Sequence, residues 1–434
     1  MTALVANQKQ SKPRGIVIIL DGLGDRPSTA LGGRTPLEAA HTPNLDRLAS
    51  NAQCGQIDTF IPGMPVGTHT GTSLFMGVAP RDVYKLARGP IEASGVGLPV
   101  QSGDVVMRCN FATVEADQDR LRVLDRRAGR IRKGTDELSA AVNSMVLGDK
   151  IVANVYPATQ HRGVVCLSGP HLSQSISDTD PGELSNPGYV LSSIAIDEED
   201  AAAFNTAKAV NEFVCRAYEI LRKHPVNKKR IHNNLPPATG IITRGAGIFR
   251  ETHTLLRHLD MKVAVVAGER TVLGLAKLFG YTPFSDPGFT SLPDTNLDAK
   301  VKAVLSALES NDLVFLHVKG TDTCSHDGDP QGKASFIERI DAAIAPLLGT
   351  DRVIGIAADH STDSTLGRHC GDPVPGLIYA ANGRVDACQS FGESACMQGG
   401  LGRISANTFL LTILDLMNRL HEYRPSDSRF LLRI

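Results

Sequence analysis

The chain has 434 residues, more than one hydrophobic core normally holds, so two domains are expected. Its formal net charge is −1, with 45 Lys and Arg against 46 Asp and Glu, which argues against a nucleic-acid partner. The first residues do not resemble a signal peptide, and the sequence contains no apolar run of the roughly 18 residues that a membrane span needs. The eight cysteines form no CxxC pair. A reducing cytoplasm, without membrane attachment, is therefore the expected location.

Short apolar runs separated by helical patterns predict a parallel sheet that is covered on both faces. The strand-like runs are, in chain order, 15–20, 261–268, 313–318 and 353–358. The helical patterns between them include 42–51 and 334–348. The predicted fold class is therefore α/β, with a doubly wound and mostly parallel sheet. Ligands of such sheets bind at the carboxyl ends of the strands.

The middle of the chain has a different pattern. Between residues 104 and 240 there are strand-like runs, many arginines, and a helical stretch at 198–224 that Asp197 is expected to cap. We interpret 104–240 as a smaller α+β domain inserted into a core made of 1–103 and 241–434.

Acidic and histidine side chains follow three of the predicted strands. Asp21 follows the first run, and Asp322 and His326 come shortly after the third. Asp359 and His360 follow the last run, and His369 lies in the next loop. A DxxxH pair or a DH dipeptide alone is more often a surface or capping feature. Together, on strands that end at one edge, these six side chains predict a divalent-metal site.

A loop rich in glycine and hydroxyl residues, 62–73, surrounds Thr68. It is compatible with a Gly/Pro turn whose hydroxyls cap a helix. Such loops more often have that structural role, but this one is also compatible with a nucleophile at a helix N-terminus, where free N–H groups favour a phosphate. Thr68 would then need activation, which coordination of its oxygen to metal supplies.

Long blocks of the sequence resemble the archaeal-type cofactor-independent (2,3-bisphosphoglycerate-independent) phosphoglycerate mutases of the alkaline phosphatase superfamily. The matching blocks occur in order through almost the whole chain, at 16–49, 87–98, 107–114, 125–131, 178–182, 242–247, 315–341 and 357–375. The resemblance implies an alkaline-phosphatase-like core with an inserted, lid-like substrate domain. It also implies two divalent ions, manganese or zinc, and no organic cofactor.

The resemblance also divides the metal ligands. One ion would be held by Asp322, His326 and His369. The other would be held by Asp21, Asp359, His360 and the oxygen of Thr68. Thr68 would then act as the catalytic nucleophile and carry the phosphoryl group.

The nucleophile loop departs from the pattern of the family. The family has a loop resembling G-S-D-T-A-H, whereas this chain reads Gly67-Thr68-His69-Thr70-Gly71-Thr72. The leading hypothesis is interconversion of 2- and 3-phosphoglycerate. The alternative is a diverged relative that transfers or hydrolyses another phosphoryl or phosphonate-derived group, such as phosphonoformyl transfer to a phosphoglycerate-like acceptor in a phosphonate antibiotic pathway. A third possibility is a metal-binding scaffold without catalysis.

A small phosphorylated carboxylate substrate requires cationic and hydrogen-bonding partners, and arginine offers a planar fork that matches both anions. The candidates for substrate binding are His69, Arg88, Arg108, Asn110, Arg127, Arg130, Arg244 and Lys319. Exposed arginines are usually only solvated, so about two of them are expected in a site. The sequence leaves the oligomeric state open.

Overall fold

The structure is a computed structural model. It describes residues 12–86, 88–95, 97–98, 101, 103–158, 160–182, 188–248, 252–349, 351–422 and 424. Two compact units are present, one made of Met1–Val83 and Thr252–Ile434 and the other of Tyr84–Glu251. The second unit begins before the predicted insertion 104–240, because helix Arg88–Gly95 packs on strands of that unit. It ends after that insertion, because the strand Gly240–Ile248 pairs within it.

The secondary structure alternates between strands and helices over most of the chain. The strands are β1 Arg14–Leu20, β2 Gln53–Asp58, β3 Val105–Asp117, β4 Arg120–Asp125, β5 Met145–Val146, β6 Val152–Pro157, β7 Arg162–Ser168, β8 Gly240–Ile248, β9 Val263–Val266, β10 Thr282–Phe284, β11 Leu313–Val318, β12 Arg352–Ala357, β13 Ser361–Asp363, β14 Arg368–Cys370, β15 Val374–Tyr379 and β16 Gly402–Ser405. The helices are α1 Pro36–Ala39, α2 Pro43–Ala49, α3 Thr68–Phe75, α4 Arg88–Gly95, α5 Thr135–Val142, α6 Ala201–Leu221, α7 Pro225–His232, α8 Leu255–His258, α9 Arg270–Leu278, α10 Leu297–Leu308, α11 Gly320–His326, α12 Pro330–Ile344, α13 Glu393–Cys396 and α14 Ala406–Leu416.

The first unit contains an eight-stranded sheet in the order β10-β9-β11-β1-β12-β15-β2-β16. β15 is antiparallel to both neighbours, and the other described pairings in this sheet are parallel. Helices α3, α9 and α14 pack together, as do α2, α10, α11 and α12. The predicted doubly wound, mostly parallel α/β class is confirmed. In the described part of the chain no helix combines the length and hydropathy needed to cross a membrane.

The central strands are buried because their sequences are almost wholly apolar. β1 is buried from Gly15 to Leu20, and β11 is buried along its whole length. Strands covered on both faces need such continuous apolar runs. The polar residues that end these runs are thereby held at one edge of a rigid sheet.

The second unit is an α+β fold around a six-stranded sheet in the order β4-β3-β7-β6-β5, with β8 also paired to β3. Its pairings are antiparallel. Helix α6 is capped by Asp200, whose carboxylate accepts from Ala203 N, and not by Asp197 as the pattern predicts. The Asp197 carboxylate instead accepts a hydrogen bond from Glu199 N in the preceding turn.

A buried ion pair joins two loops of the second unit. Arg126 donates from Nε and Nη2 to the two carboxylate oxygens of Asp180, each at 2.8 Å. The side chain of Asp180 is only 2% exposed and that of Arg126 18%. Burial raises the pKa of Asp180, but the hydrogen bonds from Arg126 and Gly182 N outweigh it and hold the pKa below its ordinary value. The pair therefore stabilises the unit as a charged pair.

Replacing Arg126 with methionine is expected to lower the free energy of unfolding by about 3–5 kcal/mol, because it leaves a buried carboxylate without its main partner. Urea denaturation at neutral pH measures this loss. The matched control is Arg122→Met. Arg122 pairs with Glu115 at the surface, so a much smaller loss than that of Arg126→Met is expected.

The Arg126–Asp180 pair makes the free energy of unfolding depend on pH. Because the folded-state pKa of Asp180 is lowered, the stabilisation is fully present above the ordinary carboxyl pKa and is lost as pH falls through the lowered value. The difference in unfolding free energy between the wild type and Arg126→Met should therefore shrink in acid. A difference that stays constant down to the acid transition would contradict this assignment.

Candidate active site

Three neighbouring strands bring charged side chains to one edge of the large sheet. β11, β1 and β12 are adjacent. Leu20 is paired with Val318, so Asp21 and Lys319 leave their strands side by side. Asp359 follows the end of β12 on the other side of β1. The side chain of Asp359 accepts a hydrogen bond from Gly22 N at 3.2 Å, which ties the ends of β1 and β12 together.

Two glycines let the site close around these strand ends. Gly22 has a φ of +64°, and a Cβ there would lie 2.8 Å from a carboxylate oxygen of Asp322. Gly71 in α3 faces the backbone of Asp359, and a Cβ there would overlap its carbonyl oxygen. Helix α3 can therefore approach the sheet edge closely enough to place its first residue, Thr68, at the site.

The hydroxyl of Thr68 lies among charged groups. Lys319 Nζ donates to Thr68 Oγ1 at 3.0 Å. Thr68 Oγ1 in turn donates to Asp21 Oδ2 at 3.3 Å and lies 3.4 Å from His360 Nε2. Lys319 also donates to Asp322 Oδ2 at 2.6 Å. The predicted nucleophile and the predicted ligands are thus in one place, together with the candidate anion-binding lysine.

One predicted ligand group is brought together by the structure. Ligand atoms of Asp322, His326 and His369 lie within 4.8 Å of one another. His326 Nδ1 lies 2.7 Å from Gly367 O, and His369 Nδ1 lies 2.7 Å from Val66 O. Since a carbonyl can only accept, both Nδ1 atoms carry a proton, so Nε2 is the nitrogen that has a lone pair in the neutral form of each ring.

These two lone pairs face each other, because His326 Nε2 and His369 Nε2 are 3.1 Å apart. The pKa of His369 is lowered to about 4 by burial and by the charge of His360, so its ring is neutral at pH 7. Both Nε2 atoms also lie within 3.6 Å of Asp322 Oδ1. Two imidazole lone pairs and a carboxylate oxygen converging on one point fit a divalent cation.

The other predicted ligands form two overlapping groups that share Asp21. The groups are Asp21 with His317 and Asp359, and Asp21 with Asp322 and His360. Among the described residues, no single group contains both Asp359 and His360, so the second predicted ligand set is divided. Asp322 belongs both to the group with His326 and His369 and to the group with Asp21 and His360, and it therefore connects them.

Buried negative charge at this edge exceeds the positive charge. Asp21, Asp322 and Asp359 are each at most 1% exposed. Burial raises the pKa of Asp21, but the charge of Lys319 and hydrogen bonds from His317 and His360 bring it well below its ordinary value. Burial and the charge of Asp21 instead raise the pKa of Asp359. His360 adds a second positive charge, since the carboxylates of Asp359 and Asp21 outweigh burial and raise its pKa to about 9. Two cations still face three carboxylates, and divalent ions would balance the remainder.

A threonine beyond the predicted set orients His360. Thr362 Oγ1 donates to Asp322 Oδ1 at 2.7 Å and lies 3.0 Å from His360 Nδ1. Because the single hydroxyl proton is given to the carboxylate, Thr362 accepts from His360 Nδ1. His360 Nε2, which faces Asp21 Oδ1 at 3.2 Å, is therefore the nitrogen available to a metal once its proton is lost.

Sequence reasoning did not single out His317, Thr362 or Lys333. His317 Nε2 lies 3.1 Å from Asp21 Oδ2, and it is the polar residue inside the apolar run of β11. That interruption is a usable signal, because a buried strand position seldom holds a histidine without a partner. Thr362 and Lys333 carry no such signal in the sequence.

Lys333 supports the site through buried hydrogen bonds to the loop after β1 and to β13. Its side chain is fully buried in α12, and Nζ donates to Asp25 Oδ2 and Gly22 O, both at 2.8 Å. Nζ also donates to Thr362 O at 3.3 Å. It therefore connects the loop after β1 with the strand that carries Thr362.

Replacing Lys333 with methionine is expected to lower the free energy of unfolding by about 3–5 kcal/mol, since the buried carboxylate of Asp25 loses its cation. Guanidinium denaturation measures the effect. Lys302→Met is the control, because Lys302 is an exposed lysine of α10, where a change within about 0.5 kcal/mol is expected. Equal effects of the two substitutions would show that Lys333 has no special role.

Several candidate substrate-binding residues lie in the second unit. Arg108 and Arg244 are opposite each other in the β3–β8 pairing. Asn110 is buried two residues further along β3. His161 lies nearby, and burial, followed by the charges of Arg162, Arg127 and Arg108, lowers its pKa to about 4. This part of the unit is therefore a positively charged region around a neutral histidine.

The remaining substrate candidates are placed differently. His69 is the second residue of α3 in the first unit, and its Nε2 lies 3.3 Å from Thr70 Oγ1. Arg127 and Arg130 are exposed in the turn after β4. Arg88 begins α4, and its side chain lies outside the residues that the structure describes.

Comparisons with known proteins agree with the blocks found in the sequence. A family model described as 2,3-bisphosphoglycerate-independent phosphoglycerate mutase matches residues 49–227. The chain is similar to the 2,3-bisphosphoglycerate-independent phosphoglycerate mutase 1 of Methanothermobacter thermautotrophicus, with 40% identity over 413 residues, 94% of this chain and 99% of that protein. It is 39% identical to the corresponding mutase of Methanopyrus kandleri over 94% of this chain and 97% of that one.

Solved structures give the same result. A protein from Pyrococcus horikoshii superposes with a TM-score of 0.80 at 34% identity, covering 95% of this chain and 99% of that chain. The cofactor-independent phosphoglycerate mutase of Thermoplasma acidophilum superposes with a TM-score of 0.67 at 32% identity, covering 93% and 100%. The resemblance seen in the sequence blocks is confirmed over nearly the whole chain, which therefore belongs to the 2,3-bisphosphoglycerate-independent phosphoglycerate mutases, an enzyme family of isomerases.

Proposed function

We propose that this enzyme interconverts 2-phosphoglycerate and 3-phosphoglycerate by phosphoryl transfer through Thr68, with two divalent metal ions bound at the edge of the large sheet. The observation that carries the proposal is the position of Thr68 Oγ1, within 3.0–3.4 Å of Lys319 Nζ, Asp21 Oδ2 and His360 Nε2. A hydroxyl that only caps a helix has no need of these partners. The family membership supports the same substrate.

The ligand sets favour two ions. Asp322, His326 and His369, which lie together, would hold one of them. Asp21 would hold the other with Thr68 Oγ1 and with Asp359 and His360, which come from the two groups that share Asp21. Carboxylate and imidazole ligands suit manganese or zinc. When bound, such ions lower the pKa of the attacking hydroxyl and neutralise the non-bridging oxygens of the transferred group.

The proposed transfer exchanges one phosphorus–oxygen bond for another. Thr68 Oγ1 gives up its proton and forms a bond to phosphorus, while the bond between phosphorus and the donor hydroxyl oxygen breaks. That oxygen takes a proton and becomes a free hydroxyl of glycerate. The reverse sequence, with the other hydroxyl of glycerate as acceptor, regenerates Thr68. Phosphothreonine is thus the covalent intermediate, and no water is consumed.

Side chains of the chain orient the anion. Lys319 holds a positive charge beside Thr68 Oγ1, because the charges of Asp21 and Asp322 outweigh burial and raise the pKa of Lys319. Thr68 is also the first residue of α3, where free backbone N–H groups favour a phosphate. The arginines of the second unit, Arg108 and Arg244 foremost, are proposed to bind the carboxylate or phosphate of the substrate.

An enolase-coupled assay with 3-phosphoglycerate tests the proposal. Protein stripped of metal and reloaded with manganese is expected to form 2-phosphoglycerate, with little release of inorganic phosphate in a parallel assay. Absence of turnover by protein that has bound metal would overturn the mutase proposal. Phosphate release without isomerisation would instead identify a phosphatase.

A second candidate rests on the loop that contains Thr68. Thr72 Oγ1 donates to Asp359 Oδ2 at 3.2 Å, at a loop position where the family pattern has histidine. This contact and His69 change the charge and hydrogen bonding beside the nucleophile. The alternative is therefore transfer or hydrolysis of a phosphonate-derived group by a diverged relative. Turnover of such a substrate by the wild type, with mutase activity appearing only in His69→Asp, would favour it.

A further inference from the structure

Sulfur ligands converge in the first unit, in a cluster separate from the Thr68 site. Cys54 lies in β2, Asp386 and Cys388 lie in the loop after β15, and Cys396 ends α13. Ligand atoms of Cys54, Asp386 and Cys388 lie within 4.8 Å of one another. The neighbouring thiol of Cys396, followed by burial, raises the pKa of the Cys54 thiol. Residues from three parts of the chain thus meet at one point.

Asp386 fixes the positions of two of these cysteines through their backbones. Its Oδ2 accepts hydrogen bonds from Cys54 N and from Gly400 N, both at 2.7 Å. Its Oδ1 accepts from Cys388 N at 2.9 Å. Oδ1 therefore keeps a lone pair that none of these amides uses. The carboxylate both holds the cluster in place and remains able to bind a cation.

Burial makes this arrangement unusual for plain packing. Cys54 and Cys396 are fully buried, and Cys388 is nearly so. A buried free cysteine ordinarily behaves as a small apolar side chain. Here, however, the thiols lie beside a carboxylate as well as beside each other. Burial and the neighbouring carboxylate of Asp386 both raise the pKa of Cys388. A bound cation would offset the negative charge of the carboxylate beside these thiols.

The spacing of the ligand atoms is compatible with a metal ion. The three cysteines are unbridged, and Cys388 Sγ and Cys396 Sγ donate to the carbonyl oxygens of Ala395 and Gly376 at 3.3 and 3.7 Å. A tetrahedral ion with metal–sulfur bonds of about 2.3 Å requires sulfur atoms about 3.8 Å apart. That separation lies within the 4.8 Å that encloses the ligand atoms of Cys54, Asp386 and Cys388.

We propose that Cys54, Cys388 and Asp386 form a binding site for a thiophilic divalent cation such as Zn²⁺ or Cd²⁺, with Cys396 as an additional sulfur donor. Each thiol that binds releases its proton to solvent, so the site becomes a dithiolate or trithiolate with one carboxylate. The bound ion would link β2 to the loop after β15 and to α13. The site is chemically distinct from the Asp and His ligands around Thr68.

Cadmium titration of the full-length protein tests the site. The protein is reduced, stripped of metal and loaded with manganese, and Cd²⁺ is then added. Ligation by sulfur gives an ultraviolet thiolate-to-cadmium charge-transfer band, which oxygen and nitrogen ligands do not give. The band is expected to saturate at one added Cd²⁺ per chain and to be lost in Cys388→Ser. The control, Cys215→Ser, changes the exposed cysteine of α6 and should keep the band.

A band that is absent from the wild type, or unchanged in Cys388→Ser, would overturn the proposal. If Cys388→Ser fails to fold, the wild type alone decides the question through alkylation. Cd²⁺ should slow iodoacetamide labelling of Cys388 by roughly tenfold or more, because a metal-bound thiolate is not free to react. Equal labelling rates with and without Cd²⁺, or a native disulfide between these cysteines, would count against a metal site.

Discussion

Replacing Thr68 with alanine is expected to reduce mutase turnover by about 10⁴-fold or more and to leave no phosphorylated protein. Thr68 Oγ1 is the hydroxyl that Lys319 Nζ and Asp21 Oδ2 contact, so its removal takes away the proposed acceptor of the phosphoryl group. Water cannot replace it in an isomerisation, because hydrolysis would release phosphate. The enolase-coupled assay measures turnover. Intact-mass spectrometry after brief exposure to substrate detects the added phosphoryl group on the wild type.

Two further variants separate chemistry from packing. Thr68→Ser keeps a hydroxyl at the same place and is expected to retain both turnover and the phosphorylated form. Ser73→Ala removes another hydroxyl of α3, which donates only to the Thr70 carbonyl within the helix. It should change turnover by less than about tenfold. Full activity of Thr68→Ala would exclude the covalent route and leave Thr68 as a capping residue.

The sheet of the first unit could be predicted because its central strands are continuous apolar runs. The run at 313–318 coincides with β11, and the run at 15–20 lies within β1. Such runs are buried on both faces, so local sequence alone identifies them. The acidic residues that follow them then locate the site, because parallel strands end at the same edge.

Other parts of the sheet depend on contacts between distant residues. β15 is antiparallel and lies between β12 and β2, and no local pattern gives a strand its direction or its neighbour. Contacts between distant residues also determine the extent of the second unit. Helix α4 packs on β3, which begins at Val105, and on β8, which begins only at Gly240. Residue pairing, rather than composition, therefore decides the boundary.

The candidate metal-binding side chains could be proposed from residue type and position, but their grouping could not. Asp322, His326 and His369 meet because α11 and β14 are brought together in space. His317 contacts Asp21 from within β11, and Thr362 contacts Asp322 through a hydrogen bond. These partners orient ligands without belonging to a motif, which is why sequence spacing misses them.

Replacing Asp322 with asparagine is expected to reduce turnover by roughly 10³-fold and to lower the metal content of the purified enzyme. Asp322 is the residue that connects the groups of candidate ligands, since it groups with His326 and His369 and also with Asp21 and His360. Asparagine keeps the shape of the side chain but removes its charge. The two imidazole lone pairs that face each other at 3.1 Å would then lack the anionic ligand that helps to hold a cation between them.

Metal analysis by mass spectrometry, with turnover measured on the same preparation, checks this expectation. Asp327→Asn is the matched control, because Asp327 is an exposed carboxylate immediately after α11. It should keep both the metal content and the activity of the wild type. Excess manganese should restore part of the activity of Asp322→Asn, since weaker ligation is overcome by mass action. Normal metal content in Asp322→Asn would remove this residue from the ligand set and require a different position for the ions.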